Sequence, residues 1–155
     1  MPVADALTHL RAHPEFYLPG GRLEPSDFAT RLAGDALALG ATRTLAVHHH
    51  DWWAVAADTD WLVAIPQVAP RELFQRIVPF PQAGANSMRS EVLIAAFADD
   101  VVTWTNGVLE VLKGRSEGLE SPRMIPNDGT WRRAVAFRFE PARLKATLIP
   151  AATSV

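Results

Sequence analysis

The sequence predicts an α+β fold: one domain over residues 1–155, with a mainly antiparallel β-sheet of about five to six strands and helices packed on one face. Three observations predict it. An Asn106-Gly107 pair stands between two β-rich runs in VVTWTNGVLEVL, the strongest short-range hairpin signal. Phe28, Leu32, Ala36 and Leu39 recur at the spacing of one helix face. The other apolar segments are short and punctuated by proline, glycine or aspartate, in the order α-α-β-β-β-α-α-β-β-β-α. With 48% hydrophobic and 21% charged residues in 155, the chain can bury roughly 70% of its unfolded surface without a disulfide or metal staple.

Val3–His13 carries Leu7 and Leu10 at helical spacing and stops at Pro14, which predicts a first short helix. Phe16–Pro25 reads as a loop. Ser26 is the expected N-cap of the second helix, with Asp27 in its first turn and Gly40 closing it. Thr42–His50, Trp52–Ala57 and Trp61–Ile65 read as strands, the last two joined by a tight polar turn at Asp58-Thr59-Asp60. Pro70 suits the first position of a helix whose apolar face is Leu73, Phe74 and Ile77 and which ends before Pro79 and Pro81.

Gln82–Ser87 is a loop. Met88–Ala98 fits either a helix or a buried strand, and a cap at Ser87 with the paired alanines favours helix. An Asn106-Gly107 turn pairs Thr105 with Val108, Trp104 with Leu109, Thr103 with Glu110 and Val102 with Val111. Val102, Trp104, Leu109 and Val111 then share an apolar face, while Thr103, Thr105 and Glu110 point the other way. Lys113–Gly129 is a long loop. Trp131–Phe139 alternates Val135, Phe137 and Phe139 against Arg132 and Arg138, and Pro141 opens a short helix with Leu144 and Leu148 before a loose tail at 150–155.

The chain has no cysteine, which excludes disulfide scaffolds, thiol catalysis and cysteine-ligated zinc. It opens without a charged stretch leading into an apolar run, and no apolar run nears the ~18 residues of a membrane span. A cytoplasmic protein with no membrane partner is expected. Thirteen of fifteen basic residues are arginine and alanine is abundant, the bias of a GC-rich bacterial genome. Residues 1–112 carry a balance of −6 and residues 113–145 one of +4, spread over scattered arginines. Binding a phosphate backbone needs a concentrated basic face, so nucleic acid is not an expected partner.

Four segments hold the polar chemistry. Gly114–Gly118 matches the G-x-S-x-G nucleophile elbow, but that motif needs a following helix, which Pro122 opposes, and all five histidines lie at or before position 50. A flexible loop is expected there. In His48-His49-His50-Asp51, a strand continuing through His50 would put His48 and His50 on one face, the spacing of a strand-borne metal pair. Nothing singles out a third ligand, so no metal and no cofactor is expected; a His48/His50 metal site is the alternative.

Trp52 and Trp53 diverge if their strand is regular, so one indole joins the core and the other needs cover from a helix, a partner or a ligand; Trp61 lies close by. In Gly84–Glu91, the side chains of Asn86, Ser87, Arg89 and Glu91 gather at a loop-to-helix junction, where free N–H groups and Arg89 would suit a carboxylate or phosphate. Together these features predict a binding or accessory module, regulatory or immunity-type, that recognises a protein partner or a small molecule through a Trp/His/acidic surface. A homodimer is compatible with this. The alternative is a small enzyme using His48, His50, Asp51 and Arg89, with or without a metal, on an acidic or phosphorylated small molecule.

Overall fold

The structure, a computed structural model, describes residues 3–65, 67–84, 87–119 and 124–144. Five strands form one antiparallel sheet: β1 (Thr44–His49), β2 (Trp52–Ala57), β3 (Asp100–Thr105), β4 (Val108–Lys113) and β5 (Arg133–Arg138). Their order is β1-β2-β5-β3-β4, so the last strand in sequence inserts between two hairpins and joins them. The helices are α1 (Val3–Ala12), α2 (Pro14–Tyr17), α3 (Pro25–Ala38), α4 (Pro70–Leu73), α5 (Glu91–Phe97) and α6 (Pro141–Leu144). The fold is α+β, with the helices α1, α3 and α5 gathered over one face of the sheet.

The two sheet faces are covered differently. On the helix face, Val55, Val101, Val135 and Phe137 pack against Phe28 and Leu32 of α3 and against the whole of α5. The sequence of α5, EVLIAAF, is apolar nearly all round, and such a helix is stable only when enclosed on every side. Its last turn leaves carbonyls without intrahelical partners, and two cations take them: Arg11 Nε donates to Ala96 O at 2.6 Å, and Lys113 Nζ donates to Ala95 O and Ala98 O at 2.7 and 2.6 Å. On the other face none of α1 to α6 contributes to the core. Here Trp52, Ala54, Ala56, Val102, Ala134 and Ala136 are covered by Met124 and Ile125 from the segment between β4 and β5. The row of alanines is what lets this segment lie close to the sheet.

The β3–β4 hairpin has the register that its turn predicts, from Thr105 opposite Val108 to Val102 opposite Val111. Asn106 and Gly107 both take positive φ, 52° and 75°, as a two-residue turn matched to the strand twist requires. The face assigned as polar is the one that meets the helices, and Thr103 is buried there with its hydroxyl donating to Ala134 O at 2.7 Å. The apolar face is covered only at its inner half: Val102 is buried, whereas Leu109 and Val111 on edge strand β4 stay exposed.

Several local expectations are corrected. Trp61–Ile65 is not a strand. Asp60 accepts the N–H of Leu62 at 3.2 Å and starts a single 3-10 turn over Trp61–Val63, in which Trp61 and the adjacent Leu62 are both buried. Strand β1 stops at His49, because His50 takes φ 55° and turns the chain with Asp51. Helix α3 starts at Pro25 after Glu24, so Ser26 lies inside its first turn instead of capping it. Helix α5 starts at Glu91; Ser87 to Arg89 run extended, with Phe80 N–H donating to Ser87 O and Arg89 N–H to Val78 O. Asn86, Pro122, Leu148 and the tail at 150–155 lie outside the described residues.

Candidate functional site

The loop-to-helix junction supplies the most concentrated polar group, and it is sealed. Arg89 is 1% exposed and Glu91 is fully buried. The guanidinium grips Glu91 through two bonds, Nε to Oε1 at 3.0 Å and Nη2 to Oε2 at 2.9 Å, while Oε2 also accepts the indole N–H of Trp61 at 3.0 Å. Asp35 of α3 comes within 3.9 Å of Arg89 and accepts the N–H of Ser90 at 2.8 Å. One guanidinium thus faces two carboxyl groups. Burial, and then the neighbouring Glu91 carboxylate, raise the pKa of Asp35 to about 7. The bonds named here are all made inside the protein, and the Phe80 ring packs 5.4 Å from the Arg89 guanidinium carbon. Its chemistry is the pinning of α3, α5 and the Trp61 turn to one another. Arg89 and Glu91 are therefore not surface ligands, and Ser87 contributes a strand-like backbone, half-buried, beside them.

The histidine segment divides. His48 points to the helix face at the exposed sheet edge and lies flat on Trp53, ring centroids 4.2 Å apart and planes 11° from parallel. His49 takes the opposite face, opposite Trp52, with His50 beside it in the turn at a ring distance of 4.2 Å. His48 and His50 consequently do not form the two-on-one-face pair that a continuous strand would have given. Among the described residues no group of three metal-ligating side chains converges. Asp51 is exposed at the turn.

The adjacent tryptophans diverge, Trp53 onto the helix face, half-buried beneath His48, and Trp52 onto the other. Trp52 is 1% exposed; its indole donates to Glu117 O at 3.2 Å and the Arg138 guanidinium packs 4.3 Å from its ring. The GRSEG segment is what folds over it. Arg138 bonds Asp100 at 2.8 Å and Glu117 O at 2.8 Å, and Arg115 N–H donates to Asp100 at 2.8 Å. A Cβ on Gly114, whose φ is 67°, would stand 2.2 Å from the Asp100 carboxylate oxygen, so this glycine is required by space as well as by conformation. The segment is a strap over the sheet, and no helix begins within it among the described residues.

The open site lies elsewhere, at the end of the sheet where the β3–β4 turn meets the start of β5. A cleft of about 660 Å³ opens there. Its apolar surface comes from Trp104, Trp131 and Ile125, and its polar groups are Asn106, Asn127 and Arg132. Ile125 is buried and forms part of the second core, on which both tryptophans rest half-exposed. The geometry follows from two turns. Asn106-Gly107 ends the hairpin one residue beyond Trp104, and the Asn127–Gly129 turn brings the chain back to Trp131, with Thr130 N–H donating to the Asp128 carboxylate at 2.9 Å. Thr105 then closes the floor by donating to Arg132 O.

Charge at the cleft is one-sided. Its wall contains two arginines and no acidic side chain. Arg133 is buried and neutralised by Asp60, with bonds of 2.9 and 2.8 Å, and it also donates to Thr103 at 3.2 Å. Arg132 is exposed. Just outside the wall, Arg43 stands 5.6 Å from the Trp131 ring centroid. The nearby Asp128 carboxyl is held below its ordinary pKa mainly by its hydrogen bonds to Thr130, with a smaller pull from Arg43.

Trp104 and Trp131 are not connected by any local pattern, because 26 residues separate them and only the insertion of β5 beside β3 brings them together. The readable signal was a tryptophan next to a glycine turn, present in both TWTNG and NDGTW. No protein-family model, no curated protein and no solved structure matches this chain.

Proposed function

We propose that this chain is a binding module whose cleft at the Trp104/Trp131 end of the sheet takes the flat apolar group of a small molecule. One observation carries the reading: two half-exposed indoles and a buried isoleucine line a cleft of about 660 Å³ whose few polar groups are set around them. Ligand sites are typically clefts of roughly 300–1,000 Å³ lined in this way. Tryptophan offers a large rigid contact surface at low entropic cost, which is why it dominates binding hot spots. The setting proposed with it is bacterial and cytoplasmic, supported by the arginine- and alanine-rich composition.

Isothermal titration with the neutral probe 1-naphthol tests the reading. Saturable binding is expected, weakened by roughly 30-fold in Trp104→Ala or Trp131→Ala, the scale of an anchor residue at about 2 kcal/mol. Phe16→Ala, an exposed aromatic at 75% outside the cleft wall, should bind as the parent does. No saturable binding of 1-naphthol or of its carboxylate analogue 1-naphthoate, or binding indifferent to both tryptophan substitutions, would overturn it.

A second reading has its own support. Leu109 and Val111 of edge strand β4 are 43% and 37% exposed and continue the apolar face from Trp104, while Val108, 68% exposed, lies on the opposite face beside Thr105. A protein partner, or a second copy of the chain, would bury them. Arg71 stands across that edge, donating to the Glu110 carboxylate at 2.8 Å and to Val111 O at 3.4 Å, which blunts it against strand pairing. For that reason the cleft is preferred. An enzyme built on His48, His50, Asp51 and Arg89 draws no support from a set that is split between a sheet edge, a turn and a buried ion pair.

A further inference from the structure

The cleft's charge says which kind of flat molecule suits it. Resting on the reading of the cleft as a ligand site, we propose that the ligand is a planar aromatic carboxylate, its ring against Trp104 and Trp131 and its carboxylate on Arg132. Three observations lead there. The first is that the cleft wall holds no acidic side chain, although the chain as a whole carries two more acidic than basic residues. The second is the contrast between the two arginines of the wall. Arg133 is buried and spends its guanidinium on Asp60 and Thr103, whereas the exposed guanidinium of Arg132 has no ion pair or side-chain hydrogen bond among the described residues. The third is that Asn106 and Asn127 line the same cleft, their amides able to donate to an oxygen acid or to accept from a ring substituent.

Guanidinium is the side chain that fits a carboxylate best, because its planar fork makes two parallel charge-assisted bonds. Beside a half-buried apolar wall, where water is partly excluded, such a pair discriminates against the neutral analogue more strongly than it does in open solvent. Arg43 adds to the same preference. It stands 5.6 Å from the Trp131 ring centroid, outside the wall, and adds positive charge at the rim. Asp128, the nearest acidic group on the turn, is engaged by Thr130.

The experiment compares 1-naphthoate with 1-naphthol by isothermal titration of the full chain, in the parent and in Arg132→Gln and Arg132→Lys. The parent should bind the acid roughly tenfold more tightly than the alcohol, the discrimination expected of one hydrogen-bonded ion pair. Arg132→Gln should erase that preference, lowering affinity for the acid far more than for the alcohol, and Arg132→Lys should restore part of it. In the parent alone, raising the salt concentration should weaken binding of the acid and not of the alcohol. Chemical-shift changes on adding 1-naphthoate should be largest at the indole N–H groups of Trp104 and Trp131. Equal affinity for the two probes, or a preference that survives Arg132→Gln, overturns the carboxylate assignment and leaves the cleft reading standing. Failure of both probes to bind overturns both.

Discussion

Two polar-aromatic clusters in this molecule are built from the same kinds of side chain and reach opposite states. In one, Arg89, Glu91, Asp35 and Trp61 sit under α3 and α5, with every polar contact made inside the protein. In the other, Arg132, Asn106, Asn127, Trp104 and Trp131 ring an open cleft at the end of the sheet. An arginine beside a tryptophan means different things in the two places. The first pair has carboxylates within reach and no path to solvent, so the charges hold the fold. The second has solvent and no carboxylate in its wall, so its recognition capacity is left over for something else. The difference lies in the covering layer: α1, α3 and α5 cover one sheet face, and the segment between β4 and β5 covers the other only in part.

The largest expected effect is at the sealed cluster. Arg89→Met keeps the bulk of the side chain and removes its charge, leaving Glu91 and Asp35 buried without a cation. Breaking a buried pair from one side costs about 3–5 kcal/mol, so chemical denaturation should show a loss of that order. A variant within experimental error of the parent would mean that the cluster is not the sealed group its distances describe.

The next effect sharpens the same point through pH. Asp35 holds its proton up to about pH 7 when folded, against 3.8 for an ordinary aspartate. The folded state therefore binds the extra proton between these values, and stability falls as pH rises from 3.8 through about 7, then levels off. The slope from one such group is at most roughly 1.4 kcal/mol per pH unit in that window. Asp35→Asn, which can still accept the Ser90 N–H, should match the parent near pH 4 and exceed it at pH 8. Parallel stability profiles for the two proteins would show that the carboxyl is charged in the fold throughout.

A smaller effect is expected at the cleft's own lip. Gly107→Val places a β-branched residue at φ 75° in the hairpin turn and should cost roughly 1 kcal/mol or more. An unchanged melting temperature would contradict the turn geometry. The smallest effect closes the comparison: Arg132→Gln should shift stability by less than about 0.5 kcal/mol, as surface substitutions do. A loss approaching that of Arg89→Met would make the cleft arginine structural and dissolve the contrast between the two clusters.

What the sequence alone determined is what depends on neighbours within a few residues. The β3–β4 register follows from Asn106-Gly107 because only those residue types accept consecutive positive φ, and every pair from Thr105/Val108 to Val102/Val111 then follows by counting. The α3 core stripe of Phe28, Leu32 and Ala36, and the divergence of Trp52 from Trp53, follow equally from the helix and strand periods. Tertiary structure decided the rest, because the deciding partners lie far along the chain. Asp60 bonds Arg133 across 73 residues and thereby turns Trp61 inward instead of into a third strand. Asp35 meets Ser90 across 55, which encloses the Arg89 junction that reads as an anion site from its own segment. Trp104 and Trp131 share a cleft only because β5 enters the sheet beside β3. Periodicity tells which face a side chain takes on its own element; whether that face ends against a core, a carboxylate or water is set by which element arrives there, and that choice is made by the packing of the whole chain.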